Sequence, residues 1–405
     1  MTSETMIESI RRELAAEQNE LYSVLQRLIQ IRSYSGDEKE IVEYIIATMK
    51  AYDFDACFID QLGNAVGRIG SGPITILYDA HIDTVHVTES EKWPHPPFAG
   101  EMIDGKIFGR GAVDEKPAMA GFLLAGKVLQ RLNALAELPV TIYVVGSVLE
   151  EDADGYPLHH LIANEGIRPG YVLLGEPTDL KVYRGQRGRM ELNIRTVGKS
   201  AHGAHNSKGI NAIYKMNPII SEIERLDQSL PAIAPLGKGS ITVSQVVSRA
   251  PSLCSVPDFC EIHLDRRMTM GESKESIVGQ LQEIIQRLRS DARVSIPTYT
   301  GVSWTGLPVN QDAYFPTWLF DENHPIVTAG LRAAEFSSRK KTASGFWSFS
   351  TNGVETAGRL GIPTIGFAPG KEELSHSPHE ELVLTDLLKA AQFYGAFPFY
   401  LANAI

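Results

Sequence analysis

Apolar positions in the first part of the chain follow two different repeats. In residues 1–31 and in PAMAGFLLAGKVLQRL (117–132) they recur every three or four positions, which predicts helices. ITILYDAHID (74–83) and VTIYVVGSVLEED (140–152) are continuous apolar runs of strand length that end in polar residues. Because strands alternate with helices, the pattern predicts an α/β fold with a mixed, largely parallel sheet flanked by helices.

The pattern changes near residue 184, where strands begin to alternate polar and apolar residues. GRMELNIRTVG (188–198) and CEIHLDRRM (260–268) alternate in this way, as strands with one face in water do. Helical repeats fall between and after them, in 209–226 and 274–290. We therefore expect an inserted α+β domain in this part of the chain.

The length of the chain also favours two domains, since 405 residues are many for a single core. The α/β pattern resumes after residue 300, in segments such as IPTIGFAPG (362–370). The boundaries we predict are residues 1–183 for the first part of the larger domain, 184–300 for the insertion and 301–405 for the second part of the larger domain.

Charge and cysteine content exclude several classes of partner and site. The formal net charge is −11 without any block of basic residues, which argues against a nucleic acid or an anionic membrane as partner. The N-terminal segment is charged throughout, unlike a signal peptide, and the apolar runs are too short to span a bilayer. Cys57, Cys254 and Cys260 form no CxxC pair, so neither a disulfide framework nor a cysteine zinc site is indicated. A reducing compartment fits, and we predict a cytoplasmic location.

Acidic and imidazole side chains collect where apolar runs end. These residues are His81, Asp83, Glu150, Glu151 and Glu176. In open α/β sheets, ligands bind at the carboxyl ends of the strands. So many acidic groups at one edge of a sheet would be costly unless a cation lies among them.

Two more residues of the same chemistry follow glycine-containing turns, Asp114 in GRGAVDEK (109–116) and His376 in ELSHSPHEE (373–381). Mixed imidazole and carboxylate ligands suit zinc and, with less preference, cobalt or manganese. Two metals bridged by one carboxylate would use all of these groups. The sequence therefore predicts a site for two divalent metal ions, with zinc as the first choice.

The order of these motifs resembles a known family. HxD, GRGxxDxK, EE, GEPT and a late HSxxE, which run from residue 81 to residue 376, resemble the metallopeptidase family of acetylornithine deacetylase, succinyl-diaminopimelate desuccinylase, aminoacylase and carboxypeptidase G. The inserted domain lies where that family carries a dimerisation or lid domain. The resemblance therefore implies a catalytic domain in two parts, an inserted dimerisation domain and a homodimer.

The resemblance implies a role for each metal-type residue. His81 and Glu176 would hold one zinc ion, Glu151 and His376 would hold the other, and Asp114 would bridge them. His379, three residues after His376, is the alternative ligand.

Two residues beside the ligands have implied roles in orientation and proton transfer. Asp83 would hydrogen-bond the ring of His81 and fix its tautomer. Glu150 would take a proton from the metal-bridging water and later deliver it to the leaving amine.

The resemblance extends into the inserted domain through GKSAHGAHNSKG (198–209). His202 would reach the active site of a partner subunit and stabilise the oxyanion there, while a loop histidine without a role is the alternative. His205 and Asn211 are lesser candidates, Asn211 for binding substrate.

Arg267 stands at the end of the D-x-R stretch, where the family binds a substrate carboxylate, a task that suits a planar two-pronged donor. A surface salt bridge with Asp265 is the alternative. Asn352 and Gly353 lie in the family's substrate loop, although Asn352 replaces a frequent acidic residue. Cys254 replaces an asparagine that helps several relatives to bind substrate, so the metal set is intact while the specificity set is altered.

The function implied is hydrolysis of an amide bond next to a free carboxylate in a small molecule. The enzyme would be an N-acyl amino-acid deacylase, with a carboxypeptidase or dipeptidase as the alternative and an N-carbamoyl-amide hydrolase as a third option. A non-catalytic binding protein of the same fold is a rival from another class, but such proteins usually lose metal ligands or the base. A mononuclear metal lyase or isomerase is a further outsider.

Overall fold

The chain is organised around two large β-sheets in a computed structural model that describes residues 3–136 and 138–405. Met1 and Thr2, with which the predicted N-terminal helix opens, lie outside the described residues, as does Glu137. The helices are α1 (Ser3–Ala16), α2 (Gln18–Gln30), α3 (Lys39–Ala51), α4 (Lys116–Arg131), α5 (Tyr156–Asn164), α6 (Ala212–Ser229), α7 (Lys274–Arg287), α8 (Pro325–Ser338) and α9 (Leu384–Ala402).

The strands are numbered in chain order. They are β1 (Ala56–Ile59), β2 (Ala65–Gly70), β3 (Ile74–His81), β4 (Glu101–Ile103), β5 (Lys106–Phe108), β6 (Val140–Ser147), β7 (Tyr171–Leu174), β8 (Val182–Gln186), β9 (Arg189–Val197), β10 (Ala232–Ile233), β11 (Gly237–Lys238), β12 (Ser240–Arg249), β13 (Phe259–Arg267), β14 (Arg293–Ser295), β15 (Thr298–Val302), β16 (Pro308–Asp312), β17 (Tyr314–Phe315), β18 (Trp318–Leu319), β19 (Ser344–Trp347), β20 (Thr364–Gly366) and β21 (Glu381–Val383).

The larger sheet has the order β1-β2-β6-β3-β7-β20-β8-β18, with β19 beside β8. Its centre is parallel, because β3 pairs in parallel with β6 and β7 and β7 pairs in parallel with β20. Of its outer pairs, β1 with β2 and β8 with β18 are antiparallel, whereas β19 pairs in parallel with β8. The mixed, largely parallel α/β sheet that the sequence predicts is confirmed, and the carboxyl ends of β3, β6 and β7 meet at one edge.

Helices cover both faces of this sheet because its central strands are apolar on both sides. Ile76 and Tyr78 belong to the core shared with the helices of one face, and Leu77 belongs to a second core on the other face. α4 is buried along nearly its whole length and packs against α9. The approach is so close that a Cβ on Gly121 would lie 2.6 Å from the ring of Tyr394, so a glycine is required there.

The smaller sheet is antiparallel, with the order β12-β13-β9-β14 and β17 beside β9. Along β9, buried residues alternate with half-exposed ones, as the sequence predicts, and the buried row packs against α6 and α7. The chain enters this sheet between Gln186 of the larger sheet and Arg189, and it returns between β17 and β18, which lie beyond residue 300.

Two further observations concern the cysteines and the length of the helices. Cys57, Cys254 and Cys260 are free thiols. Within the described part of the chain, none of the helices combines the length and the apolar character needed to cross a membrane.

Candidate metal centre and active site

A cavity of about 340 Å³ lies at the carboxyl ends of β3, β6 and β7, and residues of β9 and β13 form part of its wall. It brings together predicted site residues that are far apart in the sequence. Those that line it are His81, Asp114, Glu150, Glu151, Glu176, Arg267 and His376.

Asp114 stands between two imidazoles. Its Oδ1 lies 3.0 Å from Nε2 of His81, and its Oδ2 lies 3.3 Å from Nε2 of His376. Nε2 of His376 is also 3.0 Å from Oε2 of Glu151, and Nε2 of His81 is 4.0 Å from Oε1 of Glu176. One carboxylate thus faces two separate nitrogen and oxygen pairs, which is the arrangement that a bridging ligand of two ions requires.

The donor atoms fit divalent metal ions. Ligand atoms of His81, Asp114 and Glu151 lie within 4.8 Å of one another, and so do those of His81, Glu115 and Glu176. All of these side chains are buried or nearly so, and uncompensated buried carboxylates at such spacing would repel one another. Imidazole nitrogen with carboxylate oxygen is a donor set for zinc, and also for cobalt or manganese.

The sequence interpretation missed Glu115. One carboxylate oxygen of Glu115 accepts a hydrogen bond from the backbone N–H of His81, and the other oxygen is buried without a hydrogen-bond partner in the described part of the chain. Its position directly after Asp114 in GRGAVDEK could have indicated a place in the site. Neighbouring residues of a regular element point to different sides, however, which would turn Glu115 away from Asp114.

The imidazoles and carboxylates of the cluster shift the pKa values of one another. Burial alone would raise the pKa of Asp114, but hydrogen bonds from His376 and His81 hold it well below its usual range. Hydrogen bonds to Asp114 and Glu151 raise the pKa of His376 to about 10. Burial would lower the pKa of His81, yet the charges of Glu115 and Asp114 raise it well above its ordinary value. A metal ion must therefore displace protons from both imidazoles in order to bind.

Asp83 acts differently from the prediction. Nδ1 of His81 donates to the main-chain carbonyl of Asp83 at 3.0 Å, whereas the nearest carboxylate oxygen is 3.7 Å away. The ring is therefore oriented by the backbone of Asp83, and this leaves Nε2 facing Asp114. The carboxylate of Asp83 instead accepts from the hydroxyl of Ser35 at 2.7 Å and from the N–H groups of residues 150 and 151.

Glu150 is a buried acid that lines the cavity. Its Oε1 has no hydrogen-bond partner among the described residues. Burial, followed by the charge of Asp154, raises the pKa of Glu150 well above its usual value. A carboxyl group of this kind can hold a proton near neutral pH and give it up again, as general acid–base catalysis requires.

Arg267 lines the cavity at the end of β13, where its Nε and Nη2 donate to Oδ2 of Asp265 at 3.1 Å. Arg267 thus both lines the cavity and forms the salt bridge with Asp265. Arg189, which the sequence interpretation missed, is its cross-strand partner and lines the same cavity. Arg189 lies over the ring of Phe315 and 3.4 Å from Asp154.

His202 and Asn211 lie outside the cavity. His202 is exposed, and its Nδ1 accepts from the backbone N–H of residue 204 at 3.1 Å. Asn211 caps α6, with its Oδ1 accepting from the N–H groups of Ile213 and Tyr214. Within one chain, the structure brings neither residue to the metal cluster.

Asn352 and Gly353 are also away from the cavity wall. The side chain of Asn352 is 2% exposed, donates to Asp79 at 2.8 Å and accepts from the N–H of Gly155 at 2.8 Å. A Cβ on Gly353 would lie 2.6 Å from the ring of Trp318. These contacts favour a structural role over the predicted contact with substrate.

Phe349 and Ser350, just before Asn352 in the same loop, do line the cavity. Cavity residues that the sequence interpretation did not name are Asp154, Arg189, Phe349, Ser350, Glu372 and Ser375.

Comparison with known proteins adds a family match. Residues 77–398 match the model described as Peptidase family M20/M25/M40. The chain is 42% identical over 381 residues to the Escherichia coli (strain K12) protein named Uncharacterized protein YgeY, covering 94% of each chain. It is 25% identical over 336 residues to acetylornithine deacetylase of Aliivibrio fischeri (strain ATCC 700601 / ES114), covering 80% of each chain.

Among solved structures, the fold is similar to that of the YXEP protein of Bacillus subtilis, described as a dinuclear metal binding peptidase from the M20 family. The TM-score is 0.70 at 16% identity, and the match covers 96% of this chain and 100% of that chain. Likeness at this identity concerns the fold alone.

Proposed function

Because the chain belongs to peptidase family M20/M25/M40, we propose that it is a metal-dependent hydrolase that cleaves an amide bond in an N-acyl amino acid or small peptide. The observation that carries the proposal is the position of Asp114 between His81 and His376. The same cavity is lined by the buried Glu150. The name of the relative from Aliivibrio fischeri, acetylornithine deacetylase, agrees with a deacylase.

The cluster would hold two divalent ions, with zinc first and cobalt or manganese as alternatives. His81 and Glu176 would bind one ion, Glu151 and His376 the other, and Asp114 would bridge both. Ions in such a site polarise the scissile carbonyl and make water acidic enough to serve as a nucleophile at neutral pH.

Glu150 would move the proton. Its carboxylate would accept a proton from the attacking water and later donate it to the nitrogen of the leaving amine. Its raised pKa supports this role, because the glutamate must keep the proton between the two steps.

Arg267 would bind a free carboxylate of the substrate through the guanidinium edge that does not pair with Asp265. The cavity is of a size suited to a small molecule. We further propose a homodimer in which His202 of one subunit stabilises the oxyanion in the cavity of the other, because His202 is exposed and lies outside the cavity of its own chain.

A hydrolysis screen tests the proposal. The protein is stripped of metal, reloaded with zinc, cobalt or manganese, and offered N-acetyl and N-succinyl amino acids, N-carbamoyl amino acids and dipeptides. We expect turnover of at least one class with a free carboxylate, loss of turnover on metal removal, and loss again in Glu150→Gln.

The outcomes of the screen also separate the alternatives. Turnover confined to N-carbamoyl compounds or to dipeptides would move the assignment to those reactions. A protein that binds two metals tightly and hydrolyses none of the four classes would contradict the proposal and favour a binding protein.

A further inference from the structure

Glu150 and Glu151 are neighbours that both line the cavity, although successive residues of a regular strand point to opposite faces. The backbone leaves strand geometry after β6 to make this possible. Leu149 has φ 62°, in the left-handed region that a residue with a Cβ rarely adopts. Such a conformation persists only where the surroundings enforce it.

The surroundings in this case are side-chain oxygens that accept from four consecutive backbone N–H groups. Oδ1 of Asn64 accepts from residue 148 at 3.0 Å, and Oε1 of Glu38 accepts from residue 149 at 3.0 Å. The two oxygens of Asp83 accept from residues 150 and 151 at 3.2 Å each. We call the turn formed by residues 148–151 the glutamate turn.

The three acceptors are fully buried, so water does not replace them. A buried N–H without a partner is strongly disfavoured, and each acceptor therefore constrains the backbone of the turn. They come from separate parts of the chain: Glu38 stands just before α3, Asn64 just before β2, and Asp83 just after β3. Glu38 and Asn64 also lie outside residues 77–398, the segment matched by the family model.

Glu38 accepts a hydrogen bond from Leu149, the residue of the glutamate turn with the unfavourable positive φ. Its Oε1 accepts both from Leu149 and from the N–H of Gly36 at 2.9 Å, which ties the turn to the segment that leads into α3. Its Oε2 is buried without a hydrogen-bond partner in the described part of the chain, so Oε1 alone makes the contact.

We propose that Glu38 is a positioning residue for catalysis, because it fixes the glutamate turn so that Glu150 and Glu151 both face the cavity. Loosening the Leu149 N–H would let the backbone relax towards strand geometry and turn one of the two glutamates away. The role needs an acceptor oxygen and no negative charge. Burial and the nearby charge of Asp83 raise the pKa of Glu38 to about 8, which agrees with a neutral group at pH 7.

Two variants of Glu38 distinguish the need for a hydrogen-bond acceptor from the need for a negative charge. Glu38→Gln keeps a carbonyl oxygen at the position of Oε1, and Glu38→Leu fills a similar volume without an acceptor. The matched control is Thr196→Val, which removes a fully buried hydrogen bond to the carbonyl of Ala212 in the smaller domain. Each protein is measured for thermal unfolding, for cobalt binding by absorption titration, and for kcat and KM on the substrate found by the screen.

For Glu38→Leu we expect cobalt to bind roughly 10- to 100-fold more weakly, as when a group behind a metal ligand is lost. We also expect kcat to fall on the order of 100-fold at saturating metal with little change in KM, because Glu150 is misplaced. Glu38→Gln should recover both to within about 3-fold, since the acceptor to Leu149 is restored. Thr196→Val should unfold at a lower temperature with unchanged cobalt affinity and kcat.

Two results would overturn the proposal. In the first, Glu38→Leu, like Thr196→Val, unfolds at a lower temperature but keeps its cobalt affinity and kcat. In the second, Glu38→Gln loses as much cobalt affinity and kcat as Glu38→Leu does. If Glu38→Leu does not fold, Glu38→Asp takes its place, since the shorter side chain withdraws the acceptor, and it must then bind cobalt more weakly than Glu38→Gln. The kcat readout rests on the proposed function, but the cobalt readout does not. A wild-type protein that binds cobalt and hydrolyses nothing would thus sink the proposed function while the role of Glu38 is still decided.

Discussion

The cavity of the larger domain and the outer loop of the smaller domain present their predicted site residues in opposite ways. His81, Asp114 and Glu151 are held close together by one another and by the surrounding backbone. His202 is exposed and Asn211 is half-buried, and in the described part of the chain their side chains hydrogen-bond to the N–H groups of their own loop and helix. His81, Asp114 and Glu151 therefore form a site within one chain. His202 and Asn211 could contribute to such a site only if it belonged to another subunit.

The two regions differ because burying charged side chains costs free energy, whereas exposing them does not. Several carboxylates in one buried cavity repel one another, so their convergence indicates a cation and hence a function. An exposed histidine costs almost nothing to keep, so its location alone indicates no role. The predictions below test whether the two regions belong to one catalytic unit.

The largest expected effect is that of Glu150→Gln. It removes the proton carrier while leaving the ligand oxygens of Asp114 and Glu151 in place. We expect kcat to fall about 10²- to 10⁴-fold, or roughly 3–5 kcal/mol of barrier, with two metals per chain retained. Metal content by elemental analysis and turnover are measured on the same sample. Near-normal turnover at full metal occupancy would transfer proton movement to another residue.

The next effect is that of His202→Ala, which tests the link between the two regions. We expect kcat to fall roughly 10²- to 10³-fold, the usual cost of losing one oxyanion donor, without loss of metal. If His202 acts in the cavity of a partner subunit, mixing this variant with Glu150→Gln must restore part of the activity, because each mixed dimer has one intact site. The matched control is His205→Ala, in the same exposed loop.

A fully active protein that sediments as a monomer would break this link between the two regions. It would leave His202 as a loop histidine without a role.

A third effect concerns substrate binding by Arg267. Arg267→Met should raise KM about 10- to 100-fold for a substrate with a free carboxylate, because a hydrogen bond to a charged group contributes roughly 1.5–3 kcal/mol. kcat should change little. Arg195→Met is the control, since Arg195 lies on the neighbouring strand β9 and pairs with Glu261. An unchanged KM would leave the salt bridge with Asp265 as the only role of Arg267.

The fold class and the metal-type residues could be predicted because each depends on a local pattern. Apolar runs that end in His81, Glu150 and Glu176 mark strand ends, and strand ends of a parallel sheet share one edge. Asp114 and His376 follow glycine-containing turns and end no apolar run, and the family resemblance supplied their roles as bridge and ligand.

Residues that act through tertiary contacts could not be predicted in the same way. Glu38 sits at the start of an ordinary amphipathic helix, and only the folded chain brings it to Leu149. Arg189 reads as the polar residue of an alternating strand until its register places it beside Arg267. Asn352 is the opposite case. Its place in the family's substrate loop predicted a contact with substrate, whereas in the folded chain its side chain is buried against Asp79 and Gly155.

The smallest effect is the dependence of metal affinity on pH. The pKa of His376 is raised to about 10 by its hydrogen bonds to Asp114 and Glu151, so below that pH the ring holds a proton that a metal ion must displace. Metal affinity should therefore rise with pH through the neutral range, by roughly tenfold per pH unit for each proton released, and should level off above the pKa. Calorimetric titration with zinc in buffers of different ionisation enthalpy counts these protons.

His376→Gln should bind metal more weakly and release one proton fewer. His379→Gln is the matched control, because that exposed histidine lies three residues further on and is the alternative ligand. If His379→Gln lost the proton and the affinity while His376→Gln kept both, His379 would be the ligand. Because His379 lines a different cavity in this structure, that result would show that the residues in contact with Asp114 do not by themselves complete the metal centre. The contrast between a site completed within one chain and a loop that awaits a partner would then fail at this residue.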